Sequence, residues 1–194
     1  MVALCCVSTP ARNPGTRADD SSPDASSPDA GVLHAVLAAF DPSASDQYLV
    51  VAAEAFPPLI ERDWVVQRLH EMGKVDPGQS LDEMIADYKI RNAKSHVRSM
   101  TSAGSVKVKF VDEQELKRVF ADGALQGWQR FWQEFPGAAA LVELTLPGYS
   151  HYRSRAIACS FVSRGSLAGV VYVVLLHWDA GAWVVEWSDI LVET

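Results

Sequence analysis

The chain has 194 residues, 48% apolar and 21% charged, with a formal net charge of −7 at pH 7. That is enough apolar material to bury the core of one domain, typically ~100–150 residues, beside a tail, and it excludes a chain disordered throughout. No run of more than two Lys or Arg occurs, so neither nucleic acid nor an anionic membrane surface is an expected partner, because phosphate binding needs a concentrated basic face.

Residues 1–30 read as a tail rather than folded protein. SSPDA occurs twice in tandem, at 21–25 and 26–30, and residues 7–30 have the Ser/Pro/Asp/Ala composition of a flexible tether. Cys5 and Cys6 end a short apolar start, as at the mature end of a bacterial lipoprotein, where an acylated cysteine holds the chain at a membrane. Against this, the apolar start spans only about six residues with no basic leader, below the ~7–15 of a signal h-region, and Leu4 stands where a small residue is expected. Two readings stay open: an export signal truncated at residues 1–6, or an ordinary disordered terminus. A lipid anchor there is the only route to a membrane, since no apolar run approaches the ~20 residues of a bilayer span. The three cysteines imply no disulfide framework, and no CxxC, CxxH or HExxH spacing implies a metal or other cofactor.

Beyond the tail, Asp29 or Gly31 opens a helical pattern through VLHAVLAAF, stopped at Asp41-Pro42. YLVVAAEA, 48–55, reads as a strand. Pro57-Pro58 begins a helix to Glu71, with Ile60, Trp64 and Leu69 near one stripe and Gly73 as its stop. Ser80 and Glu83 form a capping box for a helix to Ala93, with Leu81, Met84, Ile85 and Tyr88 on one face. SVKVKFV, 105–111, alternates apolar and basic residues, as a strand with one wet face does. Asp112 and Glu115 cap a short helix carrying Leu116, Val119 and Phe120, ended by Gly123. The next helix carries Leu125, Trp128, Phe131, Trp132 and Phe135 before Pro136-Gly137, an aromatic stripe whose spacing fits a core face better than a binding face.

From residue 138 the period changes to two. AALVELTL, SRAIACSFVS, GVVYVVLLHW and AWVVEWSDILVE are four strands joined by short turns, which suggests an antiparallel meander. GVVYVVLL is apolar on both faces and is expected as an interior strand covered by helices. In HWDAGAW, 177–183, Asp179-Ala180-Gly181 suits a three-residue loop with Gly181 in a G1 bulge. That register sets Trp178 opposite Ala182 and His177 opposite Trp183, with Trp183, Val185 and Trp187 on one face.

The stretches GWQRFWQEFPGAAALVEL, LPGYSHYRSRAIACSF and GSLAGVVYVVLLHWDAGAWVV resemble a large family of uncharacterised bacterial proteins, many of them exported or lipid-anchored. Its members carry a Gly-Trp and Phe before a Tyr-Pro or Phe-Pro, a Gly-Phe/Tyr-Ser turn, a Tyr-Val-Leu-Leu strand and a closing Gly-x-Trp hairpin. VLHAVL and MIADYKIRNAKSH are similar to its first and middle segments, so the resemblance covers about residues 32–194. It implies a fold and a periplasmic or cell-surface location, and no chemistry. Where the family has charged residues before the last hairpin turn, this chain has His177 and Trp178.

Catalytic motifs are sparse. Cys159 stands mid-strand with Ile157 and Phe161 as same-face neighbours, which fits a buried hydrophobe better than a nucleophile. There is no Gly-x-Ser-x-Gly elbow. Asp179, Glu186 and Asp189 cluster at the last hairpin as solvated acids do, and His151 with His177 lacks a third metal ligand. The turn SRGSLAG, 163–169, precedes a strand rather than a helix, so it reads as a hairpin with glycines at positive φ rather than a phosphate loop. The ligand-binding candidates are Tyr149, His151, Tyr152, Arg153 and Arg155, whose donors and rings suit an anionic or carbohydrate-like ligand, together with the His177–Trp183 pair.

The expected fold is α+β, one domain over residues 31–194 with an antiparallel sheet, a C-terminal four-stranded meander and helices from the N-terminal half packed on it. The function expected first is a non-catalytic binding or interaction domain, exported and tethered, whose partner is a small molecule, glycan or protein. Its rivals are a small hydrolase using Cys159 or a carboxylate with His151 or His177, a structural subunit marked by a contiguous exposed apolar patch, and a cytoplasmic location.

Overall fold

The computed structural model describes residues 28–40, 46–54, 80–93 and 106–193. The tail up to residue 27 and the helix predicted over 57–71 lie outside the described residues. The elements in chain order are α1 (Pro28–Ala38), β1 (Tyr48–Ala52), α2 (Ser80–Asn92), β2 (Val108–Val111), α3 (Glu113–Val119), α4 (Ala124–Glu134), β3 (Ala138–Leu144), β4 (Gly148–Tyr149), β5 (Arg155–Ser163), β6 (Gly169–Asp179) and β7 (Ala182–Glu193). The fold is α+β. Among the described residues no helix is long and apolar enough to cross a membrane.

One sheet has the strand order β2-β1-β3-β5-β6-β7, with β4 paired to β5. The meander is present as β3, β5, β6 and β7, each antiparallel to the next. The sheet as a whole is mixed rather than antiparallel, because β1 runs parallel to both β2 and β3. A period of two identifies a strand but carries no sign of its direction, which the connections between strands set.

Pairing fixes which residues share a face. Leu141 lies opposite Ser163, Glu143 opposite Phe161, and Cys159 opposite Val173, and all of these point to one side. On the other side Leu49, Val51, Val142, Leu144, Val174 and Leu176 pack beneath Val32, Leu33, Val36 and Leu37 of α1. The first side is covered twice. Leu81, Met84, Ile85 and Tyr88 of α2 cover Ile157, Cys159, Val173 and Leu175, while Trp128, Phe131 and Phe135 cover Val50 and Leu141. Strand β6 is therefore interior and covered on both faces, as its apolar composition requires. The aromatic stripe of α4 is core at Phe131 and Phe135, both fully buried, whereas Leu125 and Trp132 are exposed.

The local chemistry of the ends matches the sequence. The Asp112 carboxylate accepts from the Glu115 N–H at 2.7 Å and caps α3. The Glu83 carboxylate accepts from the His151 N–H at 3.1 Å. In the turn after β5, Arg164 N donates to Ala168 O at 2.8 Å. Among the described residues only Gly123, Gly137 and Gly181 are glycines at positive φ, so that turn forms without the expected left-handed glycine.

The last hairpin departs from its expected register. Asp179 pairs with Ala182, Trp178 with Trp183 and His177 with Val184. The loop is thus two residues, Ala180 and Gly181, at φ 46° and 93°, as a type I′ turn requires. The three-residue expectation failed because it reserved positive φ for glycine, and Ala180 adopts it too. Further along, Leu176 pairs with Val185 but Leu175 with Trp187, so Glu186 is an extra residue in β7, and a second irregularity follows where Tyr172 pairs with Ile190 and Val171 with Val192. The first bulge turns Trp187 towards α2 while Trp183 and Val185 stay on the α1 side. The three do not share one face.

Candidate functional site

In the polar-aromatic segment 148–155, Tyr149 and Arg155 are engaged by other parts of the fold, whereas His151, Tyr152 and Arg153 are exposed. Tyr149 is buried, and its hydroxyl donates to Asp29 Oδ1 at 2.8 Å. Asp29 Oδ2 accepts from Arg91 at 2.6 Å, and the same guanidinium donates to Pro147 O at 2.7 Å. The Tyr149 ring also carries the guanidinium groups of Arg91 at 5.1 Å and Arg153 at 5.5 Å. Burial, then the Asp29 carboxylate, push the Tyr149 hydroxyl well above its ordinary pKa. This one side chain joins α1, α2 and β4.

Helix α2 holds the rest of the segment in place. Asp87 accepts from Tyr149 N at 2.8 Å. Asn92 donates to Leu146 O at 2.9 Å and accepts from Leu146 N at 2.8 Å. The helix can come this near because residue 148 is glycine. A Cβ there would stand 2.2 Å from Met84 O and 2.5 Å from Tyr88 N. His151 and Tyr152 stack edge to face at 4.9 Å, and Tyr152 is 87% exposed.

The remaining candidates separate. Trp183 packs with Tyr149 at 5.7 Å and with Trp178 at 5.5 Å, so its ring partner across the hairpin is Trp178 and not His177. His177 lies in register between Arg155 and Val184. Its Nδ1 is buried without a hydrogen-bond partner. Arg155 is occupied by Glu186, donating to its two carboxylate oxygens at 2.7 and 3.0 Å. The carboxylate offered to His177 is thereby held by a guanidinium.

Cys159 is 1% exposed, and burial pushes its thiol up to about 12. The Ile157–Leu175 pair stands between it and the Arg155–His177 pair, and His151 is exposed at the β4–β5 turn. No cysteine–histidine pair is assembled here. Among the described residues no three His, Cys, Asp or Glu side chains group as metal ligands.

A different place has the shape of a site. Between the α3–α4 pair and the sheet lies an open groove of about 420 Å³, within the ~300–1,000 Å³ usual for small-molecule pockets. Leu116, Phe120, Trp128 and Leu141 make it mostly apolar, Glu143 and Ser163 belong to its sheet floor, and Glu113 and Lys117 contribute from α3. No protein-family model, curated protein or solved structure matches the chain.

The walls are fixed by close packing. Gly127 lets α4 seat on α3, since a Cβ there would stand 2.2 Å from Phe120 Cδ1. Phe120 then meets Trp128 edge to face at 5.5 Å, and Trp128 meets Phe131 at 4.9 Å. Arg118 donates twice to Glu134 and ties the two helices on their outer side. On the floor, the half-buried Glu143 carboxylate has no hydrogen bond or ion pair among the described residues. Desolvation alone raises its pKa.

Neither Glu143 nor Ser163 was among the sequence candidates. Within AALVELTL, Glu143 is the single acid of an otherwise apolar strand. An acid at such a position must face either water or a partner, and that was the available signal.

Proposed function

We propose that the chain is a non-catalytic binding module that takes a small molecule in the groove between α3, α4 and the sheet. The observation that carries this reading is the Glu143 carboxylate, half-buried on the floor of an apolar groove and without a partner among the described residues. A lone desolvated anion costs stability, and a structural role gives it a cation or several hydrogen bonds. Arg91 with Asp29 and Arg155 with Glu186 are such structural pairs; Glu143 has none among the described residues. The raised thiol pKa of Cys159 and the engagement of Glu186 by Arg155 favour binding over hydrolysis.

The proposal keeps the bacterial, exported setting implied by the family resemblance, with the segment before α1 as a tether anchored through Cys5 or Cys6. Two measurements test it. A ligand screen followed by heteronuclear NMR should shift resonances of Leu116, Trp128 and Leu141 together, and Leu116→Trp, which fills the groove, should abolish those shifts. Hits that persist in the filled variant would place binding elsewhere. For the tether, cells expressing the genomic reading frame should incorporate an alkyne fatty acid at Cys5 or Cys6; an unlabelled protein would remove the anchor from the proposal.

A further inference from the structure

We infer that the groove selects an organic amine, an ammonium group carried on an apolar body, with Glu143 as its counter-ion. The inference rests on the groove being the binding site and goes further by naming the charge and class of its ligand.

Three observations lead there. First, no cation among the described residues pairs with Glu143. The one cationic side chain in the groove lining, Lys117, is paired with Glu113 at 2.6 Å across one helical turn. Lys109 lies over the Phe135 ring at 4.4 Å and beside Glu115 at 4.0 Å. A ligand ammonium would supply the opposite charge, and it would do so in a desolvated place, where the attraction is stronger than in water.

Second, the lining sorts ligands by charge and by bulk. An anionic ligand would meet Glu143, with Glu113 also in the lining. A bare divalent cation would lack a ligand set, because no three potential metal ligands come together among the described residues. Leu116, Leu141 and the rings of Phe120 and Trp128 call for an apolar body.

Third, the position is rigid. Glu143 lies inside β3, between neighbouring pairs in continuous register with β5. Its backbone is held whether or not a ligand is bound, so little order is lost on binding.

The test uses three isosteres, 1-naphthylmethylamine, 1-naphthalenemethanol and 1-naphthoate, titrated calorimetrically at pH 7.5 into the full chain. The amine should bind at least ten-fold tighter than the alcohol, and the naphthoate should not bind. In Glu143→Gln the amine should fall to within about three-fold of the alcohol while alcohol binding is retained. In Leu116→Trp all three should be lost, with circular dichroism and the melting temperature confirming that each variant folds. Equal binding of amine and alcohol by the unmodified chain, or a preference for the naphthoate, would overturn the amine inference and leave the groove as a site. Silence from all three, or binding that survives Leu116→Trp, would overturn the groove reading and the inference together. The comparison within the unmodified chain decides the charge preference even if a variant fails to fold.

Discussion

Replacing Gly148 by alanine should destabilise the protein by roughly 3 kcal/mol, and the geometry gives the size. The added Cβ would stand 2.2 Å from Met84 O and 2.5 Å from both Tyr88 N and Tyr88 Cβ, whereas ordinary contact between heavy atoms begins near 3.5 Å. Helix α2 must therefore retreat by about 1 Å. All three clashing atoms belong to the helix backbone or its first side-chain carbon, so no rotamer change relieves them. Retreat stretches the bonds from Asp87 to Tyr149 N and from Asn92 to Leu146, now 2.8–2.9 Å. Overpacking of this kind costs ~1–3 kcal/mol, and each weakened hydrogen bond adds ~0.5–1.5 kcal/mol. The smaller conformational freedom of alanine in the unfolded chain returns only ~0.4–1 kcal/mol. Urea unfolding followed by tryptophan fluorescence measures the difference, and the melting temperature should drop by about 6–12 °C. Gly165→Ala is the internal control. Its Cβ would meet only Ala168 Cβ at 3.9 Å, so stability should stay within ~0.5 kcal/mol or rise slightly. A Gly148→Ala variant as stable as that control would refute the close seating of α2 on β4.

Tyr149→Phe removes the hydroxyl that donates to Asp29 and should cost about 1 kcal/mol; in an Asp29→Ala background most of that cost should vanish, and an additive double mutant would deny the coupling. Glu143→Gln should stabilise the protein at neutral pH by on the order of 1 kcal/mol, the low end for a buried polar group because Glu143 is only half-buried. Its folded-state pKa is raised above the ordinary 4.5, so its contribution to stability is complete below that value and is lost as pH rises through the folded-state pKa. The advantage of the glutamine variant should accordingly be absent at pH 4 and present at pH 8, and unfolding curves showing the reverse order would contradict the desolvation account. Cys159, with its thiol at about 12 and 1% exposure, should resist iodoacetamide in the native protein and react in urea; peptide-level mass spectrometry would expose native labelling if the thiol is accessible.

The α+β class and the four strands of the meander were legible because a half-buried strand writes its two faces into alternate residues. Strand direction left no such mark, so the parallel pairing of β1 with β2 and β3 was not readable. The closing hairpin shows a second limit. Parity carries a face assignment along a strand only while the register is unbroken, and the extra residue at Glu186 reverses it between Val185 and Trp187. The partners of the candidate segment left no mark in the sequence either. Tyr149, His151 and Arg155 read the same whether they meet water, a ligand or a distant part of the chain, and here Asp29, Glu83, Asp87, Arg91 and Glu186 engage them. Glu143 was overlooked for another reason, one acid among apolar residues looking like an incidental surface position.

The two irregularities in β7 also bear on how the protein meets its own copies. This strand ends the described order of the sheet, where an unpaired edge is a template for another chain. The extra residue at Glu186 and the shift near Ile190 break the repeat of donors and acceptors and increase the local twist. An incoming strand could hold register only over short runs, 182–185 before the first irregularity and 187–190 between the two. That interruption protects a long edge bearing the exposed Val184 and Ile190 from edge-to-edge aggregation.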